Sequence, residues 1–276
     1  VAVRKPCFRG WTPLTTRFMM EVFNNEKQYP ELPSIAYSFQ IYSKQYDTGN
    51  YREPMFYGNA IPDTFPLVIQ PTEIIDGAIS TCGGYRCLTT YDIQNHPIIT
   101  ELMRRHGKDL NFTGTIITVT SVEAKHRSLT SKFAASLLKE VLHADGVVIT
   151  KGVGGASTLC VGAIASEAEK LGIKAVPIIQ ILNAQSNMST ECLITESNVD
   201  SIVTSGTYYH NYILPPVDVL YGGPEDALFM SGNDGVIDGH KIATGKPAMG
   251  EVVCSSMKHV GMMSQTGSCY STGVDY

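Results

Sequence analysis

The sequence predicts an α/β fold: an open, mostly parallel sheet flanked by helices, with irregular N- and C-terminal extensions. Three observations predict it. Apolar and amphipathic stretches alternate through the middle of the chain, as in "GVVIT", "STLCVGAIASEAEKLG" and "IKAVPIIQIL". The turns between them are tight, which calls for crossover units and parallel strands. "GVVIT" is apolar at nearly every position, the pattern of a strand covered on both faces. Residues 1–60 are expected to form an N-terminal extension, 61–215 the α/β core and 216–276 a C-terminal wrap or subunit contact, all in one globular unit.

Taken in order, "TTRFMMEVFNNE" (Thr15 to Glu26) has the apolar spacing of a short helix, and "SIAYSFQIYS" (Ser34 to Ser43) the loose alternation of a strand. A passage rich in Tyr, Asn and Pro follows and reads as an ordered loop. In "QPTEIIDGAIS", Thr72 is placed to cap a helix, with Glu73 and Asp76 in its first turns, where carboxylates suit the dipole. "HPIITELMRRHGK" has Pro97 at a helix start, basic residues near its end and Gly107 as a stop. "FTGTIITVT" is β-branched and strand-like. Leu129, Phe133, Leu137 and Val141 recur at steps of four, and Ala134, Leu138 and Leu142 widen that stripe into an amphipathic helix. Ser157 is a plausible cap and Gly172 a stop for the next helix, and "DSIVTSG" (Asp200 to Gly206) is a further strand.

Composition narrows the function. Of 276 residues, 43% are hydrophobic, enough for a large core. A net charge of -5 without a basic run argues against nucleic acid and against an anionic membrane surface. No stretch approaches the roughly 18 to 20 apolar residues of a spanning helix, and no signal peptide is evident. Seven cysteines, an odd number in a large chain, point to buried thiols in a reducing cytoplasm rather than a disulfide framework. No His or Cys spacing supports a metal site. The chain starts at Val1, not Met, as a trimmed terminus or a product of internal cleavage would.

"TKGVGGASTLC" (Thr150 to Cys160) joins a predicted strand to a predicted helix. Ligands of open α/β sheets bind at that edge, and a helix N-terminus favours an anion. Lys151 precedes the glycines, so this is no phosphate loop, and Gly152, Gly154 and Gly155 lack dinucleotide spacing. The glycines either permit a tight turn or admit a small anion, most naturally a carboxylate, beside Lys151.

"YGNAIPDTFPLVIQPTEIIDGAIST" and "TTYDIQNHPIITELMRRHGKDLNFTGTIIT" resemble the component B family of the glycine, sarcosine and betaine reductases, to which D-proline reductase is related. The similarity runs from about Phe56 to Gly223, through "KFAASLLKEVLHADGVVITKGVGGAST", "EAEKLGIKAVPII" and "LPPVDVLYGG". It implies a subunit that reductively splits a C–N bond of an amino acid or N-methylated glycine. It implies a proprotein that cleaves itself at an internal cysteine, leaving a pyruvoyl group on the downstream fragment. That carbonyl forms a Schiff base with a primary amine and makes nitrogen a better leaving group. It further implies a hetero-oligomer: a selenocysteine- or cysteine-containing partner subunit, the upstream proprotein fragment and a thioredoxin-like electron donor. Val1 would follow the pyruvoyl but cannot be its precursor, which is Ser- or Cys-derived; Cys7 in "KPC" lacks the family's preceding pair. "KGVGGAST" and "NAQSNMST" (Asn183 to Thr190) depart from the family's pattern near the ligand edge and leave the amine open.

The candidate catalytic residues are Val1, Cys82, Glu73 and Asp76; the candidate substrate-binding residues are Asn59, Tyr57, Lys151, Gly154, Gly155 and Asn95. Glu73 and Asp76 share a helix face and either hold an ammonium or sit in water. Asn59 beside Tyr57 is either a carboxylate ligand or turn chemistry. Cys82 precedes two glycines that let another backbone approach, and is otherwise a buried thiol. Lys125, His126 and Arg127 hold a carboxylate or start a helix. Cys254 and Cys269 are possible exchange partners for a thiol protein. Two other readings stand beside the reductase subunit: a non-catalytic binding or assembly subunit without the pyruvoyl, and a stand-alone thiol enzyme using Cys82.

Overall fold

The computed structural model describes residues 2–4, 21–23, 27–41, 55–60, 65–80, 82–84, 87–121, 123–150, 156–181, 194–207, 211–214, 236–237, 240–241 and 252–255. Six strands make its central sheet: β1 (Ser34–Ile41), β2 (Leu67–Ile69), β3 (Asn111–Val119), β4 (Gly146–Thr150), β5 (Lys174–Ile181) and β6 (Val203–Thr207). Their order is β6-β5-β4-β1-β3-β2. Five run parallel, and β2 lies antiparallel on the edge beside β3. The parallel sheet and its flanking helices are as the sequence predicts. The sheet begins earlier than residue 61, however, because β1 pairs with both β3 and β4 and lies in the sheet's interior.

Side chains alternate on β1 as a strand between two layers requires. Tyr37, Phe39 and Ile41 face one core, with Ile74, Ile79, Ile93, Ile99, Leu102 and Phe112. That face is covered by α1 (Pro71–Asp76), α2 (Thr90–Gln94) and α3 (Pro97–Arg105). Ala36 faces the other core, with Ile116, Leu138, Val147, Ile149, Val161 and Ala165. There α4 (Ala124–Ser136) and α5 (Ala156–Lys170) pack together. Pro177 lies inside β5, in register with Ile149 of β4, one residue before β6 begins to pair at Ile178.

Several boundaries differ from the sequence reading. Thr72 does not cap α1. The cap is Gln70, Pro71 opens the helix, and the Glu73 carboxylate accepts from the Gln70 N–H at 2.9 Å. Gly77, at φ 97°, ends the helix in the left-handed region. Glu21–Phe23 is a strand antiparallel to Ala2–Arg4, so tertiary pairing overrides the helical spacing there; residues 15–20 lie outside the described residues. Ser157 is inside α5, not its cap. Lys125, His126 and Arg127 form the first turn of α4, and the His126 ring lies 6.0 Å from that of Phe65.

The stripe on α4 is also turned. Ala134, Ala135 and Leu138 are buried, while Leu129 and Phe133 are 54% and 43% exposed. The small row faces inward because it lets α4 approach the sheet and α5 closely. Past Ser136 the helix widens into a π turn (Leu137–Val141), closed by the Leu142 N–H on the Leu137 carbonyl at 3.0 Å. The buried row continues through it, with Ala134, Leu138 and Leu142 all in one core cluster, while Val141 is 54% exposed. The described C-terminal strands, Val236–Ile237, His240–Lys241 and Val252–Ser255, join Asn211–Leu214 in a separate antiparallel sheet.

Candidate functional site

In chain order the parallel strands run outward in both directions from β1, so the strand order reverses between β1 and β4. The crevice beyond the carboxyl ends at such a switch point is where open α/β sheets bind ligands. Here it is bounded by the ends of β1, β3 and β4 and by the start of α5. The 151–155 segment joins β4 to α5, so the glycines occur in the chain at this point; Lys151, Gly154 and Gly155 themselves lie outside the described residues.

The edge is polar on both faces of the sheet. Toward α5, the buried Gln40 side chain donates from Nε2 to the Ser157 carbonyl at 3.2 Å. Thr120 Oγ1 and Ser157 Oγ are 2.9 Å apart. The Ser121 N–H donates to Cys160 Sγ at 3.3 Å, and the thiol returns a bond to the Ser121 carbonyl. These contacts stitch the first turns of α5 to β1 and β3. Burial pushes the Cys160 thiol up, so it stays protonated.

Toward α3, three buried groups form a chain. Tyr37 Oη lies 2.8 Å from His96 Nε2 and 2.5 Å from Thr150 Oγ1. His96 is the cap residue of α3, wholly buried, and its ring meets those of Tyr37 and Phe39 edge-on at 5.0 and 4.8 Å. Burial pushes its imidazole down to about 3, so it is neutral. Burial also holds the Tyr37 phenol far above its usual range, against the opposing pull of the Thr150 hydrogen bond. Four buried side-chain atoms lack any hydrogen-bond partner among the described residues: Ser38 Oγ, Thr115 Oγ1, Thr118 Oγ1 and His96 Nδ1. Ser38 and Thr118 lie on the two strands, β1 and β3, whose ends bound this edge.

The predicted site residues fall in several places. Tyr57 and Asn59 sit at the turn of the ribbon Met55–Phe56 with Asn59–Ala60, both exposed. Tyr57, at φ 48°, donates its phenol hydrogen to Glu73 Oε1, and that bond holds the phenol above its usual range. The structure therefore brings Tyr57 and Glu73 together, with the Glu73 carboxylate already engaged by the α1 cap. Asp76 is exposed on the same helix. A side chain at Gly77 would meet the Gln94 amide at 2.8 Å, so the end of α1 abuts the end of α2, next to Asn95. Asn95 immediately precedes His96. Cys82 starts the strand Cys82–Gly84, antiparallel to Cys87–Thr89. Val1 lies outside the described residues.

Sequence reasoning missed Tyr37, Gln40, His96, Thr118 and Thr120. The available signal was polar residues inside core strands. Ser38 and Gln40 interrupt an otherwise apolar β1, and Thr150 closes an apolar β4 just before the glycines.

Comparison with known proteins agrees with this span. Residues 14–249 match the family model of glycine/sarcosine/betaine reductase component B subunits. The chain is 30% identical over 208 residues to the glycine reductase complex component B subunits alpha and beta of Acetoanaerobium sticklandii, covering 73% of this chain and 46% of that protein. It is 27% identical over 227 residues to the betaine reductase complex component B subunit alpha of Peptoclostridium acidaminophilum, 80% of this chain and 50% of the relative. It is 37% identical over 128 residues to the sarcosine reductase complex component B subunit alpha of the same organism, 45% of this chain and 29% of the relative. The chain thus spans about half, or less, of the length of these curated relatives. No solved structure matches it. The match over most of the chain establishes that it belongs to the family of glycine/sarcosine/betaine reductase component B subunits.

Proposed function

We propose that this chain is the substrate-handling part of a reductase-complex component B subunit, acting in reductive cleavage of the C–N bond of a small amino acid or N-methylated glycine. The observation that carries this reading is that the family match, residues 14–249, encloses every strand and helix around the switch point. Relatives named for glycine, betaine and sarcosine share one chemical group in those compounds, a carboxylate. An edge of buried hydroxyls, an amide and a helix N-terminus suits such a group.

Converting a C–N bond to C–H and N–H consumes a pair of electrons and a pair of protons. Cys160 does not fit the role of nucleophile, being buried and hydrogen-bonded to Ser121. In this reading a partner subunit supplies a selenocysteine or cysteine, and a thioredoxin-like dithiol supplies electrons and protons as it closes to a disulfide. The assembly is then a hetero-oligomer that also holds the upstream proprotein fragment.

In this reading a pyruvoyl group would be carried on a backbone nitrogen, and Val1 cannot be its precursor, because valine has no β-heteroatom to eliminate. When bound there it supplies an electrophilic ketone for a primary amine.

The intact mass of the chain from its native source, before and after phenylhydrazine, tests the reading. A hydrazone shift together with a blocked N-terminus supports the pyruvoyl subunit. An unshifted mass with a free N-terminal amine removes the pyruvoyl and leaves a binding or assembly subunit.

A further inference from the structure

The His96–Tyr37–Thr150 chain has a direction. A tyrosine hydroxyl has one hydrogen to donate, and a neutral imidazole has one N–H. If Tyr37 donated to His96 Nε2, the ring hydrogen would sit on Nδ1, which has no partner among the described residues. That would leave a donor orphaned in a fully buried site. With the hydrogen on Nε2, only a lone pair at Nδ1 goes unused, the less costly omission. His96 then donates to Tyr37, and Tyr37 donates to Thr150 Oγ1.

The Thr150 hydroxyl accepts in this arrangement, so its own hydrogen must go elsewhere. Thr150 is fully buried and has no second partner among the described residues. It is the last residue of β4, beside the switch point. Neither His96 nor Tyr37 ionises near neutral pH, so the direction does not reverse there.

The geometry points to Thr150 as a hydrogen-bond donor to the carboxylate of a ligand at the switch point, with His96 and Tyr37 as positioning residues that keep it a donor. This rests on the reading of the chain as an amino-acid-handling subunit and names the residue that meets the substrate's shared group. Glycine, sarcosine and betaine differ at nitrogen and agree at the carboxylate, so Thr150 serves all of them alike.

Two measurements on the full chain test this. Two-bond nitrogen–proton NMR correlation reports the His96 tautomer without any ligand. Hydrogen on Nε2 is expected; hydrogen on Nδ1 overturns the proposal. Calorimetric titration with glycine, sarcosine and betaine then compares the wild type with Thr150→Val and Thr150→Ser. Thr150→Val should weaken every ligand the wild type binds by about tenfold, the scale of one hydrogen bond to a charged group. Thr150→Ser, which keeps the hydroxyl, should stay within about twofold of wild type. Unchanged affinity in Thr150→Val removes Thr150 from the site and leaves the reductase reading standing. A loss confined to glycine places Thr150 at the nitrogen end and refutes the carboxylate assignment. No binding of any of these compounds by the wild type refutes the ligand class, while the hydrazone experiment still decides the subunit's chemistry independently.

Discussion

Gly107 follows α3 at φ 75°, and a Cβ there would stand 2.6 Å from the Tyr29 ring. Gly107→Ala should therefore cost about 2 kcal/mol or more, from left-handed strain and the displaced ring, read as a lowered thermal midpoint. His106, just before it, accepts from the Phe112 N–H through Nδ1 and donates to the Lys27 carbonyl through Nε2, so its ring is satisfied at both ends. His96 is the contrast, and its burial makes it a contributor to the loss of stability in acid. Its folded value, about 3, lies below the ordinary 6.5, so between those values the unfolded chain binds a proton that the folded chain does not. This contribution is fully present above pH 6.5 and declines by about 1.4 kcal/mol per pH unit as pH falls toward the folded value. His96→Gln should flatten that acid limb, seen as urea midpoints that change less between about pH 6.5 and 4.5 than in the wild type. An unaltered slope would show that His96 does not stay neutral in the fold. The stop at Gly107 was legible in the sequence because a glycine after basic residues is a local signal. His96 was not, because its importance arises from Tyr37 and Thr150, 59 positions before it and 54 after it.

Among the elements, α4 shows how a correct helix can carry a face that is only half correct: the widening row of Ala134, Leu138 and Leu142 is buried, and the row of Leu129, Phe133 and Val141 is not. The spacing at steps of four is real, but two rows, one residue apart, both qualify. Size decides between them: alanines at 134 and 135 allow close approach, and the larger Phe133 is left outside beside Phe65, ring centroids 5.9 Å apart. Leu138→Ala should cost about 2–5 kcal/mol, while Leu129→Ala should stay within about 0.5 kcal/mol, both by chemical denaturation. The reverse ranking would put the row of Leu129 and Phe133 in the core instead. Strands were the more legible elements. β3 and β4 agree with their sequence signals because a strand buried on both faces has no face to choose. The candidate site was legible in its location, a turn between strand and helix, and hidden in its side chains. Its polar groups come from β1, β3, β4 and the α3 cap, which lie far apart in the chain and meet only through the sheet order.

At the scale of the whole molecule, the alternation of strand and helix made the parallel sheet legible, whereas the position of β1 depends on pairing that no local window contains. Its neighbours lie far downstream: Ile35 is opposite Phe112 on one side and Gly146 on the other. Deleting residues 1–41 should therefore abolish cooperative unfolding rather than trim an extension, and a truncated chain that kept a sharp thermal transition would refute that placement. The same topology governs the order of manufacture. Synthesis from the N-terminus delivers an interior strand of the sheet first, while both of its partners are still untranslated. A nascent chain halted before residue 111 presents the apolar row of Ile35, Tyr37 and Phe39 with neither flanking strand in place. Holdase chaperones should crosslink to β1 in such a chain and release it once β3 and β4 have emerged.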